Sequence, residues 1–143
     1  MTVASLVIRA EQSADVDAVE AILREAFADH PHSRQTEHLI VRRLRVGREL
    51  VLPQVAVLAG VTIGYATFSA VRLSPAHDGW YGLGPVAVAP DFQGLRIGSA
   101  LIDGGLQALK AIGAVGCVVL GEPRFYRRFG FEQSLGVTFD GAP

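Results

Sequence analysis

The chain has 143 residues, 50% of them hydrophobic and 19% charged, which is enough apolar surface for one domain spanning 1–143 with a single sizeable core and no visible linker. A formal net charge of −1 gives no general attraction to nucleic acid, and the aromatic residues are not interleaved with basic ones as a stacking platform requires. The lone Cys117 excludes an internal disulfide, and the absence of a membrane-length apolar run or a basic-then-apolar leader leads us to expect a soluble cytoplasmic protein with no membrane partner.

Leu6–Arg9 reads as a short first strand. Ser13 stands where a helix cap is wanted, ahead of Val16, Val19, Ile22, Leu23, Ala26 and Phe27 at helical spacing. His30-Pro31-His32 ends that helix; two histidines suggest a metal, but no third ligand stands at a suitable spacing, and none is expected. A second helix, roughly Thr36 to Arg45, carries Arg42, Arg43 and Arg45, with Arg48 just beyond. This cluster reads as a solvated face, or as an attraction for an acidic acceptor, or as a dimer contact.

Leu50–Leu58 and Val61–Val71 are two β-rich runs joined at Ala59-Gly60, which predicts an antiparallel hairpin. Gly82–Val88 is the next strand, interrupted by Gly84-Pro85. Proline has no N–H to give to a ladder, so the pair predicts a bulge. A third helix runs from about Gly98 to Ile112 with Ile102, Leu106 and Leu109 on one face, and Gly104 and Gly105 predict close packing against a sheet. Cys117-Val118-Val119-Leu120 is wholly apolar, as for a central strand covered on both faces, and is expected to lie parallel to the strand before helix three. In that setting Cys117 reads as a small buried hydrophobe rather than an acyl-carrying nucleophile.

The most informative stretch is the passage from the Val86-Ala87-Val88 strand through Pro90-Asp91-Phe92-Gln93-Gly94-Leu95-Arg96 into Ile97-Gly98-Ser99. The first turn of a helix leaves N–H groups without intrahelical partners, and the peptide dipoles add about half a positive charge there. Such an end holds a diphosphate without any lysine. A P-loop requires Lys after its second glycine, and a dinucleotide fold requires Gly-x-Gly-x-x-Gly; neither pattern is present. Downstream, Glu122-Pro123-Arg124-Phe125-Tyr126-Arg127-Arg128-Phe129-Gly130-Phe131 reads as a strand exit, a short helix with proline in its first turn, a glycine stop and a new strand.

Gln93-Gly94-Leu95-Arg96-Ile97-Gly98 resembles the acetyl-CoA loop of the GCN5-related N-acetyltransferases (GNATs), Gln/Arg-x-x-Gly-x-Gly/Ala, and Phe125-Tyr126 to Phe131 is similar to the Phe-Tyr-x-x-x-Gly-Phe block of the same family. One position departs: the family's first glycine falls on Arg96. We expect that slot to be already helical, with the guanidinium reaching a phosphate; a left-handed slot would instead cost a non-glycine residue about 1–2 kcal/mol. The resemblance implies an α/β fold, a mixed splayed sheet with helices on both faces. It also implies transfer of acetyl from acetyl-CoA directly to a primary amine of a small molecule or an exposed protein amino group. The alternative is a non-catalytic acyl-CoA-binding or regulatory domain.

By this resemblance the backbone of Val86, Ala87 and Val88 holds pantetheine as an added strand, and Gln93, Gly94, Leu95, Arg96, Ile97, Gly98 and Ser99 hold the diphosphate. Tyr126 is the general acid that protonates the departing thiolate. Glu122 is the candidate base, or a glutamate that caps the following helix, and His77 and Asp78 are candidates to line the acceptor side. Arg124, Arg127 and Arg128 stand ready for a CoA phosphate, an anionic acceptor or water. The chain after Phe131 is short for the family's final strands, so a last strand is expected to be missing or supplied by a partner in a homodimer.

Overall fold

The computed structural model describes residues 5–31, 33–72, 78–120 and 123–132. Its elements in chain order are β1 (Leu6–Ala10), α1 (Val16–Phe27), α2 (Glu37–Val46), β2 (Gln54–Leu58), β3 (Val61–Ala70), β4 (Trp80–Val88), α3 (Ile97–Ala111), β5 (Gly116–Val119) and α4 (Pro123–Arg127). The five strands lie side by side in chain order, the first four antiparallel and β5 parallel to β4. This is the expected mixed α/β sheet. The strand predicted after Gly130 lies outside the described residues beyond Glu132, as do His32, His77 and Glu122.

Strand alternation sends side chains to two faces, and each face is covered by helices. On one, Ala56, Ile63, Phe68 and Leu83 pack with Ile97, Leu101, Ile102 and Leu109 of α3. On the other, Val55, Tyr65 and Ala87 pack with Val19, Ile22 and Leu23 of α1 and Val41 of α2. A Cβ added to Gly105 would stand 2.1 Å from the Phe68 ring, so α3 rests on the sheet only because that position has no side chain. Close packing of the glycine pair is therefore as expected.

Several boundaries differ from expectation. Ser13 does not cap α1: it opens a 3₁₀ turn, Ser13–Asp15, whose cap position is Gln12, and Asp15 Oδ2 reaches back to accept the Gln12 N–H at 2.7 Å. The same carboxylate takes both guanidinium nitrogens of Arg9, at 2.7 and 3.0 Å. The Arg9 hydrogen bonds hold the Asp15 carboxyl below its usual range. The β2–β3 hairpin forms as predicted, with Ala59 and Gly60 both at positive φ. However, Leu50 makes only a lone bridge to Ser69, and β2 begins at Gln54. β4 starts at Trp80 rather than Gly82, because Trp80 and Tyr81 already pair with Gly116 and Cys117.

Candidate functional site

β4 is paired on both sides for only part of its length. Against β5, the register runs Trp80↔Gly116 to Leu83↔Val119 and stops there. Against β3 it continues to Gly64↔Val88. Among the described residues, Gly84–Val88 therefore has no strand on its β5 side. The predicted bulge marks the fork: the β3 register passes from Ala66↔Val86 to Phe68↔Leu83, leaving Thr67 alone opposite Gly84 and Pro85, whose shared peptide is cis.

Which main-chain groups face the open side follows from the ladder. The Ala89 N–H donates to the Ile63 carbonyl on β3 at 2.8 Å. Antiparallel pairing alternates, so Ala87 also turns its N–H and C=O toward β3, and Val86 and Val88 turn theirs away from it. One of those four groups is already engaged: Gln93 Nε2 donates to the Val88 carbonyl at 3.0 Å. Of the three residues expected to hold pantetheine, Val86 and Val88 thus present groups to the cleft, while Ala87 is tied to the sheet and buried against α1.

The loop after β4 turns through a 3₁₀ segment, Pro90–Phe92, and reaches α3 by way of two left-handed residues. Gly94 has φ +81° with nothing within 4 Å of an added Cβ, so its glycine answers to backbone conformation and not to crowding. Arg96, the residue just before α3, has φ 63° and ψ 22°. The expectation of a helical slot there is overturned: the position is left-handed, the conformation that its glycine counterpart in the motif adopts freely, and a residue with a Cβ is strained in it. Its side chain is exposed.

The first backbone bond of α3 runs from the Ala100 N–H to the Arg96 carbonyl at 3.1 Å, leaving Ile97, Gly98 and Ser99 without intrahelical acceptors. A Cβ on Gly98 would make ordinary contacts at 3.9 Å with Val88 Cγ2 and 4.0 Å with Val86 Cγ1. The donor-rich helix end and the open strand edge therefore adjoin each other, and an extended ligand with an anionic end can meet both.

Tyr126 on α4 is half-buried against the α3-side core, to which Val86 and Val88 also pack. Its ring meets Phe125 edge-on at 4.9 Å and Phe131 at 5.8 Å. Burial pushes its phenol above the ordinary value, so the hydroxyl keeps its proton at neutral pH. The Arg128 guanidinium lies over the Phe125 ring at 4.7 Å, which accounts for one of the three arginines in this block. Arg127 is exposed. Cys117 is half-buried in β5, and burial pushes its thiol up to about 11, against a nucleophilic role. Asp78 is exposed ahead of β4.

The arginines of α2 are mostly spoken for. Arg42 makes two bonds of 3.0 Å to Glu20, and Arg45 pairs with Glu11 through both nitrogens, one at 2.9 Å. These pairs tie α2 to α1 and to the β1–α1 turn. Among the described residues no cluster of His, Cys, Asp and Glu is placed to hold a metal, and no helix is long and apolar enough to cross a membrane. Sequence reading missed two groups at the fork, the Thr67 hydroxyl and the Gln93 carboxamide as a tie to Val88. The Gly-Pro pair signals a bulge, but nothing local identifies the residue across from it.

Residues 48–133 match the family model for an acetyltransferase (GNAT) domain. The uncharacterized N-acetyltransferase YhbS of Escherichia coli (strain K12) is 34% identical over 128 residues, covering 89% of this chain and 74% of that protein. Among solved structures, a GNAT family acetyltransferase from Brucella melitensis in complex with acetyl-CoA superposes with a TM-score of 0.87 at 43% identity, over 90% of this chain and 84% of that one. The crystal structure of Escherichia coli YhbS in complex with CoA gives a TM-score of 0.83 at 34% identity, over 92% and 71% of the two chains.

Proposed function

The chain belongs to the GNAT family of acetyltransferases, and from that premise we propose that it binds acetyl-CoA in the fork of β4 and β5 and transfers the acetyl group directly to a primary amine. The observation that carries this reading is the half-paired strand: β5 leaves β4 at Leu83, while β4 continues to Val88 beside the free end of α3. An extended arm with amide groups can pair with Val86 and with the Val88 N–H as an added strand. Its diphosphate then meets the N–H groups from Leu95 to Ser99, including those of Ile97, Gly98 and Ser99 that the helix leaves unused, without needing a basic pocket. Charge-assisted bonds of this kind contribute about 1.5–3 kcal/mol each.

Gly94 sets the loop conformation, and Gln93 fastens the loop to the end of β4 rather than to the ligand. In the transfer step an uncharged amine attacks the thioester carbonyl, the C–S bond breaks, and the departing thiolate takes a proton from the Tyr126 phenol. Burial supports that role, since it keeps the phenol protonated. Glu122 is our candidate for the base that receives the amine's proton, and Asp78 lies ahead of β4 where an acceptor can approach. The acceptor is a small-molecule amine or an exposed protein amino group.

Release of free thiol from acetyl-CoA, measured against a panel of amines, tests the reading. Amine-dependent release is expected. Binding of CoA with no thiol release on any amine would make the protein a non-catalytic acyl-CoA-binding domain, and no CoA binding would end the proposal.

A further inference from the structure

Thr67 lies in the middle of β3 between Ala66 and Phe68, and all three are fully buried. A buried hydroxyl costs free energy unless it is hydrogen-bonded, and valine would fill the same space in a strand without that cost. The Thr67 hydroxyl is satisfied across the sheet: Oγ1 donates to the Pro85 carbonyl at 2.8 Å. It faces that carbonyl because it is the single residue opposite Gly84 and Pro85, and its contact lies just past Leu83↔Val119, where β5 pairing ends.

We infer that Thr67 is a positioning residue for the acyl donor: its hydroxyl locks the β4 bulge in the register that turns Val86 and Val88 toward the open side. The inference rests on the acetyl-CoA reading above. Without the hydroxyl, the Pro85 carbonyl loses its partner and the bulge is free to move along β4. Because main-chain direction alternates with a period of two, a shift by one residue turns the Val86 and Val88 groups toward β3 and Ala87 toward the cleft. The pantetheine arm is then affected, while the phosphates at the α3 end are not.

Thr67→Val removes the hydroxyl at constant volume, and calorimetric titration with CoA and with adenosine 3′-phosphate 5′-diphosphate, which keeps the diphosphate and lacks the pantetheine arm, reads the two halves of the site separately. We expect the Kd for CoA to rise about tenfold and that for the armless nucleotide to stay within about twofold of wild type. Thr67→Ser should bind both ligands as wild type does. Unchanged CoA affinity in Thr67→Val overturns the inference, and so does equal weakening of both ligands, which is a general loss of structure. Should Thr67→Val not fold, Thr67→Ala against Thr67→Ser isolates the hydroxyl at matched size, and equal CoA affinities of those two overturn it as well. Failure of the wild-type protein to bind CoA is a separate outcome that removes the acyl-donor reading itself, and this inference with it.

Discussion

Trp80–Leu83 and Gly84–Val88 are consecutive halves of one strand, and they differ in what their outer edge meets. The first half is paired with β3 on one side and β5 on the other; among the described residues the second keeps β3 alone. Both halves contribute side chains to the core, Leu83 in one and Ala87 in the other. What separates them is the main chain. In the acetyl-CoA reading, a site for an extended ligand is made by withholding strand pairing: hydrogen-bonding capacity that the fold uses in the first half stays open in the second. The bulge at Gly84-Pro85, opposite Thr67, is where one role gives way to the other.

Four measurements break or sharpen this contrast. The largest effect is expected on the open half, from Tyr126→Phe: kcat should fall about a hundredfold or more, as for loss of a general acid, with CoA affinity within about twofold of wild type. Burial raises the Tyr126 phenol, so the alkaline fall in wild-type turnover should lie above the range in which a free phenol ionises. A variant with full turnover would remove Tyr126 from the chemistry. Next in size is Gly105→Ala, on the helix that seals the closed half. Its Cβ collides with Phe68, the partner of Leu83, and should destabilise the fold by about 1–3 kcal/mol in denaturant titration.

The third measurement asks whether the closed half stays closed. Cys117 pairs with Tyr81 in it, and with its thiol pushed up to about 11, alkylation by iodoacetamide at pH 8 should run at least tenfold slower than for a free cysteine, whose thiol ionises at about 8.5. A rate equal to that of a free thiol would mean that β5 parts from β4 along its whole length. The smallest effect is at Arg96→Gly. Relief of the left-handed backbone, less the entropy glycine adds to the unfolded chain, should raise stability by up to about 1 kcal/mol. Weaker melting of the variant would show that the left-handed backbone carries no strain at this position.

Much of this was legible in the sequence, for reasons that can be named. Helical spacing from Val16 to Phe27 and the Ala59-Gly60 turn are local patterns, and each gave the right element; the apolar run Cys117–Leu120 gave a strand, yet among the described residues β5 lies at the edge of the sheet and not at its centre, and Leu120 is exposed. The Gly-Pro pair announced the bulge because a missing N–H is a local property. The failures involve partners distant in sequence or choices of backbone well. α1 starts past Ser13 because a 3₁₀ turn intervenes, and Asp15 holds that turn by taking the Gln12 N–H and the guanidinium of Arg9 on the preceding strand. Arg96 was read as helical because residue type does not reveal which of two allowed wells a loop imposes. Thr67 finds Pro85 across the sheet, and Arg45 finds Glu11 across two elements; no periodicity in the chain connects either pair.

The Gln93 carboxamide occupies the Val88 carbonyl, so the open edge offers three main-chain groups: both of Val86 and the N–H of Val88. None of them belongs to a side chain. Alanine scanning along this stretch would therefore pass over the recognition surface without registering it. Replacing the peptide bond at Val86 by an ester, which deletes one N–H and leaves every side chain in place, is the substitution to which this part of the protein is sensitive.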